Sequence, residues 1–234
     1  MDTPALGLPH RRRLRQIWRS AGWPFQDGIE VELLAAGWVE RLRDAAGRET
    51  LRVTDAGVQV LAQTLARNRG AFSAHQALVA RVATEMARAG RIVWTRLVLR
   101  AKVADSWVLS MPDVFSIRQT SVEAYVEPVV HEVKVSRADL LADLRREAKG
   151  AAYCALASQC WYVLRDRIAD ASEVPQPYGV MLARDGALEV LRPAPRRAAA
   201  LPFSLWMALA RAAPDAIDDD AQRWLGDGDD IGAQ

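Results

Sequence analysis

The chain has 234 residues, half of them hydrophobic and 26% charged, the make-up of a globular protein with its own core in one large or two small domains. Two cysteines without CxxC or Cys/His ligand spacing argue against a disulfide scaffold or a structural zinc site, and no apolar run reaches the ~18 residues of a membrane span. The net charge of +2 hides an asymmetry: residues 1–213 carry +8 and residues 214–234 carry −6, a basic body that suits a polyanionic partner.

Residues 1–9 read as a lead-in. Met1–Ser20 is Arg-rich without an apolar stretch of signal-peptide length, so a reducing, cytoplasmic location is expected. Arg11–Ser20 (RRRLRQIWRS) predicts a short helix, and Gly28–Ala36 a second one ended by Gly37. Trp38–Arg43 and Thr50–Thr54 flank Ala45-Ala46-Gly47-Arg48 as a hairpin, and Thr54 can cap a helix over Asp55–Asn68 that Gly70 closes. Two helices, a two-stranded wing and a third helix outline a small winged-helix domain over residues 1–70. The stretch "LLAAGWVERLRDAAGRETLRVTDAGVQVL" resembles the wing and flank of bacterial winged-helix proteins.

Residues 71–213 read as a second, α/β domain. Ser73–Ala89 predicts an amphipathic helix, with strands at Arg91–Leu99 and Val114–Ile117. Val129–Val135 is apolar on both faces apart from three polar residues, the pattern of a strand in mid-sheet. Ser136-Arg137-Ala138-Asp139 has capping-box spacing ahead of a helix that runs to about Ser158 with a break at Gly150. Cys160–Leu164 is the next strand. Gly179–Ala183 and Ala187–Leu191 form a hairpin across Asp185-Gly186, Pro193–Arg197 is a linker and Phe203–Ala212 a last helix. Residues 214–234 are expected to be an acidic, disordered tail.

The chemistry concentrates in "MPDVFSIRQTSVEAYVEPVVHEVKVSRADLLADL", where Pro112-Asp113 precedes Glu132-Val133-Lys134 by nineteen residues. A strand has period two, so Glu132 and Lys134 project from one face while Val133 points away. If the strand that starts near Asp113 pairs alongside, two carboxylates and one ammonium converge at a sheet end. Carboxylates on rigid strands suit Mg²⁺, or Mn²⁺, with the Val133 backbone carbonyl as an added oxygen ligand. Lys134 would then orient a water for attack on a phosphodiester.

This pattern resembles the PD-(D/E)xK nuclease superfamily, and the element order around it (helix, strand, strand with Asp113, strand with Glu132 and Lys134, capped helix, strand) is similar too. "HEVKVSRADLLADLRRE", "CWYVL" and "VPQPYGVMLARDGALEVLRPAPRR" look more narrowly like the MmcB-type family of putative DNA-repair endonucleases, over about residues 110–213. The resemblance implies a restriction-endonuclease-like mixed sheet flanked by helices. It implies Asp113 and Glu132 as metal ligands, Lys134 as the catalytic lysine, and metal-dependent hydrolysis of DNA in repair or processing. It also implies a homodimer where both strands are cut. Metal chemistry does not distinguish the sugar, so RNA stays open as a substrate, and a non-catalytic DNA-binding protein on a degenerate nuclease scaffold is the alternative.

Further candidates are graded by context. Glu85 shares the apolar, sheet-facing stripe of its helix with Leu78, Val82 and Ala89, where many superfamily members carry a third acid; a surface pair with Arg81 is the bland reading. Lys149 and Tyr153, one helical turn apart, could face the cleft and touch DNA phosphate. His131 alternates to the opposite face, as a packed histidine would. Arg11, Arg12 and Arg13 could clamp a nucleic-acid backbone or form a solvated helix face. The presumed recognition helix carries Glu30 and Glu32 and no cation, which leaves the wing, with Arg41, Arg43, Arg48 and Arg52, as the DNA-touching part.

Overall fold

The computed structural model describes residues 7–20, 22–184, 186–199 and 201–216. Residues 1–6, Asp185 of the expected hairpin turn and residues 217–234 of the acidic tail lie outside the described residues. The start of that tail is tied down, since the Asp215 amide donates to the Val93 carbonyl at 2.9 Å.

The chain divides into two compact units, Met1–Phe72 and Ser73–Gln234. The first holds α1 (Leu8–Arg19), α2 (Gly28–Ala35), the antiparallel pair β1 (Val39–Arg43) and β2 (Glu49–Val53), and the start of α3 (Asp55–Arg88). Its core is Leu14, Ile17, Leu33, Val39, Leu51 and Leu61. Asp27 caps α2 by accepting from the Glu30 amide at 3.0 Å, as its short side chain allows. Glu30, which the sequence pattern placed on an exposed recognition surface, is fully buried. It accepts from the amides of Phe25 and Gln26 and from Arg41, bracing the α1–α2 connection. Gly22 closes against β2: its φ is +79° and a Cβ there would strike the Leu51 carbonyl.

One continuous helix replaces the two expected on either side of Gly70. Gly70 has helical backbone with open space around it, so its helix penalty of about 1 kcal/mol is tolerated within the 34-residue α3.

The second unit adds β3 (Arg91–Trp94), β4 (Leu99–Val103), β5 (Ser106–Ser110), β6 (Val114–Arg118), β7 (Val129–Lys134), α4 (Arg137–Leu144), α5 (Glu147–Leu156), β8 (Gln159–Arg165), β9 (Gly179–Arg184), β10 (Ala187–Arg192) and α6 (Phe203–Arg211). A six-stranded mixed sheet runs in the order β10-β9-β8-β7-β6-β3, parallel between β7, β8 and β9 and antiparallel elsewhere. The molecule is thus a mixed α/β protein with helices flanking the sheet. β7 is buried at all six positions, as its apolar alternation on both faces requires.

The expected strand Arg91–Leu99 is instead split: β3 stops at Trp94, and Leu99 opens a separate hairpin, β4–β5. The helix after β7 breaks at Arg145–Arg146, not at Gly150. Gly150 is there for another reason, since a Cβ would collide with the Tyr178 hydroxyl. No helix among the described residues is long and apolar enough to cross a membrane.

Candidate active site

The ladder between β6 and β7 ends at the pair Val114–His131. Continuing that register by one residue sets Asp113 opposite Glu132, and Pro112, which has no N–H to give, opposite Val133. The strands separate here, and the Val133 amide, left without a ladder partner, donates to Asp113 Oδ2 at 2.7 Å. The N–H and C=O of one strand residue face the same neighbour, so the Val133 carbonyl turns toward Asp113 as well. His75, on α3, brings Nε2 to 3.3 Å from Asp113 Oδ1.

Glu132 and Lys134 leave β7 on one face, each only 4% exposed. Glu132 Oε1 accepts from Lys134 Nζ at 2.8 Å and from Lys149 Nζ at 2.6 Å, and its Oε2 accepts from the Tyr153 hydroxyl at 2.9 Å. Asp143, also buried, completes the network: Oδ1 accepts from Lys149 at 2.7 Å, Oδ2 from the Tyr162 hydroxyl at 2.9 Å, and Lys134 Nζ lies 3.6 Å from Oδ2. Asp139 stands 3.7 Å from the same ammonium. Ser136 accepts from the Asp139 amide and so starts α4 where both acids face Lys134.

Burial, and then the nearby Asp113 charge, raise the Glu132 carboxyl above its ordinary range, against the pull of Lys134 and Lys149. Burial works against the Lys134 ammonium, yet Glu132 and Asp143 together hold its pKa above the usual lysine value. Burial likewise opposes ionisation of Asp143, and Lys134 and Lys149 overcome it, keeping its pKa low. Tyr153 and Tyr162 are pushed up by burial and by the carboxylates they donate to.

The sequence-derived residues therefore divide. Asp113, Val133, Glu132, Lys134, Lys149 and Tyr153 meet at one end of the sheet. Lys149 and Tyr153 do so as partners of Glu132, not as free phosphate contacts. Glu85 is not part of the cluster. It pairs with Arg88 at 3.4 Å and borders a hollow formed by β9 and β10. Its side chain is 42% exposed and Ala89 is exposed, because the buried stripe of α3 runs through Leu78, Val79, Val82 and Ala83; His75, ten residues earlier and about 15 Å along the axis, is the α3 residue that reaches Asp113. His131 is packed, stacked on Trp161, with its pKa lowered to about 3 by burial and by Arg91.

Arg13 and the four arginines of the β1–β2 hairpin are committed to neighbouring acids. Arg13 pairs with Asp27 at 2.8 Å and covers the Phe25 ring. Arg41 pairs with Glu30 and Glu49, Arg43 with Glu49, Arg48 with Asp44 and Arg52 with Glu40. Arg12 is exposed and Arg11 half-buried.

Asp143, His75 and Tyr162 were not singled out from sequence. Asp139 and Asp143, four apart on the helix following an acid-x-Lys strand, are the signal that could have found the first. His75 and Tyr162 arrive through tertiary packing alone.

Among the described residues no three His, Cys, Asp or Glu side chains are grouped to hold a metal ion. Mg²⁺ needs fewer protein ligands than that, taking one or two carboxylates beside water and phosphate oxygens. Asp113, Glu132 and the Val133 carbonyl are the oxygens here that would hold such an ion, and the Asp113 charge is near enough to raise the Glu132 carboxyl further after burial has done so.

No family model matches the chain, and no curated protein matches it. Among solved structures, a protein of unknown function from Silicibacter pomeroyi is similar at 20% identity over 60% of this chain and 80% of that one, with a TM-score of 0.38.

Proposed function

We propose that this chain is a metal-dependent DNA endonuclease of the PD-(D/E)xK type, acting in DNA repair or processing. The observation that supports the reading best is the meeting of Asp113, Glu132 and Lys134 where β6 and β7 part, with Asp113 bonded to the Val133 amide inside the Glu-Val-Lys motif. Asp113, Glu132 and the Val133 carbonyl would hold Mg²⁺ or Mn²⁺, which when bound supplies activation of water and charge neutralisation at the phosphodiester. Lys134 is fixed between Glu132 and Asp143, so its ammonium donors are already oriented when substrate arrives. They serve the attacking water and the charge that develops on the phosphate, with no reorganisation at the moment of reaction. Lys149 and Tyr153 hold Glu132 in place from the other side.

With Mg²⁺ or Mn²⁺ the purified protein is expected to nick supercoiled DNA, and Asp113→Ala or Lys134→Ala to lower the rate by about a hundredfold or more. Activity that survives both substitutions in folded protein rejects the assignment.

A second reading, a DNA-binding protein on a degenerate nuclease scaffold, is favoured by one feature: three donors already occupy the Glu132 carboxylate. Thermal unfolding separates the two. Stabilisation by Mn²⁺ that disappears in Asp113→Asn supports the enzyme, and its absence in the parent protein supports the scaffold.

A further inference from the structure

The β4–β5 hairpin has two faces. Leu99 and Ala101 are buried in the main core, with Val103 and Val108 packed beside them. The alternate residues face outward, and the ladder sets Arg100 opposite Leu109 and Lys102 opposite Trp107. Trp107 is 62% exposed, Leu109 64% and, just past the strand end, Met111 60%. Large apolar groups adjoining one another in water mark a binding surface more often than chance exposure.

Two of the cations on this strip have no acid partner among the described residues. Among the described residues Arg96 and Arg100 make no ion pair, and Lys102 has only the fully exposed Asp105 at 3.9 Å. The strip also leads somewhere. Arg96, Arg100 and Leu109 border a groove of about 340 Å³ against α6, whose Arg211 adds another cation, and among the described residues no acid lines it. Arg96 borders in addition a hollow of about 300 Å³ lined by His75, Met111, Pro112 and Asp113. One arginine thus joins the outer face of the hairpin to the candidate metal ligand.

We infer that this strip binds an unpaired segment of a DNA strand and delivers it to Asp113, phosphates on Arg96 and Arg100 and bases against Trp107 and Leu109. The inference rests on the nuclease reading for its choice of polymer. Bases offer their faces to an aromatic side chain only when unstacked, as at a flap, gap or frayed end. Apart from the Trp107 indole N–H, the outward apolar groups offer no hydrogen bonds to base edges, and their flat faces suit unstacked bases, so duplex is the weaker ligand. Unlike the β1–β2 arginines, Arg96 and Arg100 make no ion pair with a carboxylate among the described residues and are available to displace counterions from phosphate.

The test uses the full chain in EDTA, where no cleavage occurs, with labelled oligo-dT and a mixed-sequence duplex of equal length, followed by fluorescence anisotropy across a salt series. Oligo-dT is expected to bind more tightly than duplex. Trp107→Ala should weaken that binding about 5- to 100-fold. Arg100→Gln should reduce the slope of log K against log salt by about 0.7, one single-strand phosphate contact. Both side chains point away from the core; should Trp107→Ala unfold by circular dichroism, Leu109→Ser takes its place. Equal or tighter duplex binding, no binding at low salt, or unchanged oligo-dT affinity in folded Trp107→Ala and Arg100→Gln overturns the inference. So does a change of oligomeric state in Trp107→Ala with DNA affinity intact, which would make the strip a protein interface. Nicking that is lost in Asp113→Ala while these variants bind normally sinks the strip and leaves the nuclease standing. Weakened binding in a protein that never nicks does the reverse.

Discussion

Two antiparallel hairpins carry solvent-exposed cations and treat them in opposite ways. Across β1–β2 the ladder sets Arg52 against Glu40 and Arg43 against Glu49, and both pairs close, at 2.5 and 3.1 Å. Arg41 reaches Glu49 at 3.5 Å and the buried Glu30 at 2.9 Å, while Arg48 closes on Asp44 in the connecting turn. Across β4–β5 the residues facing Arg100 and Lys102 are Leu109 and Trp107. A guanidinium beside a carboxylate has already exchanged part of its solvation for that contact, and a phosphate must compete for it. A guanidinium facing a leucine, as Arg100 does, has not. Counting arginines along the sequence therefore points to the β1–β2 wing, whereas the cross-strand neighbours point to β4–β5.

The rule has its severest case where charges are buried, and there the largest effect is expected. Asp143 helps to balance two lysines and has 6% exposure. Asp143→Ala leaves Lys134 and Lys149 sharing one buried carboxylate, and removing one member of such a cluster costs about 3–5 kcal/mol. Urea unfolding at neutral pH measures it. A loss below about 1 kcal/mol would mean that water or rearrangement replaces the acid at once, and that pairing does not organise this site.

The next effect lies in the first unit and depends on pH. Burial would raise the Glu30 carboxyl, but the Gln26 and Phe25 amides and Arg41 outweigh it and hold its pKa below the ordinary glutamate value. A carboxylate with a depressed folded pKa stabilises above its unfolded value of about 4.3, and that contribution is lost as pH falls through the folded value. Glu30→Gln places an amide among donors and should cost about 2–3 kcal/mol at pH 7, the scale of charge-assisted hydrogen bonds. The gap between parent and variant should close in acid, below about pH 4. A gap of constant size across that range would show that shape, not charge, makes Glu30 a brace.

These contrasts mark what could be read along the chain. Glu132 and Lys134 sit two apart in a strand whose valines face both ways, so their shared face and burial followed from period alone, and the Ser136 cap followed from residue type. The β4–β5 hairpin gave no such sign. Its turn puts Ala104, at φ +51°, where glycine or asparagine usually announces the left-handed backbone, and the apolar residues on both sides of Thr95 and Arg96 hide the break after Trp94. Asp143 was legible through its i,i+4 spacing from Asp139, whereas His75 and Tyr162 join the site through packing over separations that local patterns do not carry. The β1–β2 arginines were visible as residues; their carboxylate partners required the ladder register.

The smallest expected effect tests the comparison most directly, because it asks whether the wing can be made to resemble the other hairpin. Glu40→Gln with Glu49→Gln removes the acids facing Arg52 and Arg43 while keeping side-chain shape, and exposed pairs of this kind contribute little to stability. Thermal unfolding should move by about 2 °C or less. Affinity for duplex DNA in low salt should rise severalfold, with the slope of log K against log salt steeper by up to about 0.9 for each arginine that engages a phosphate. Arg41 keeps Glu30 in this variant and serves as the internal reference: Arg41→Gln added on top should change binding little. If the doubly substituted wing gains no affinity, carboxylate neighbours are not what silences its arginines, and the charge-based distinction between the two hairpins fails.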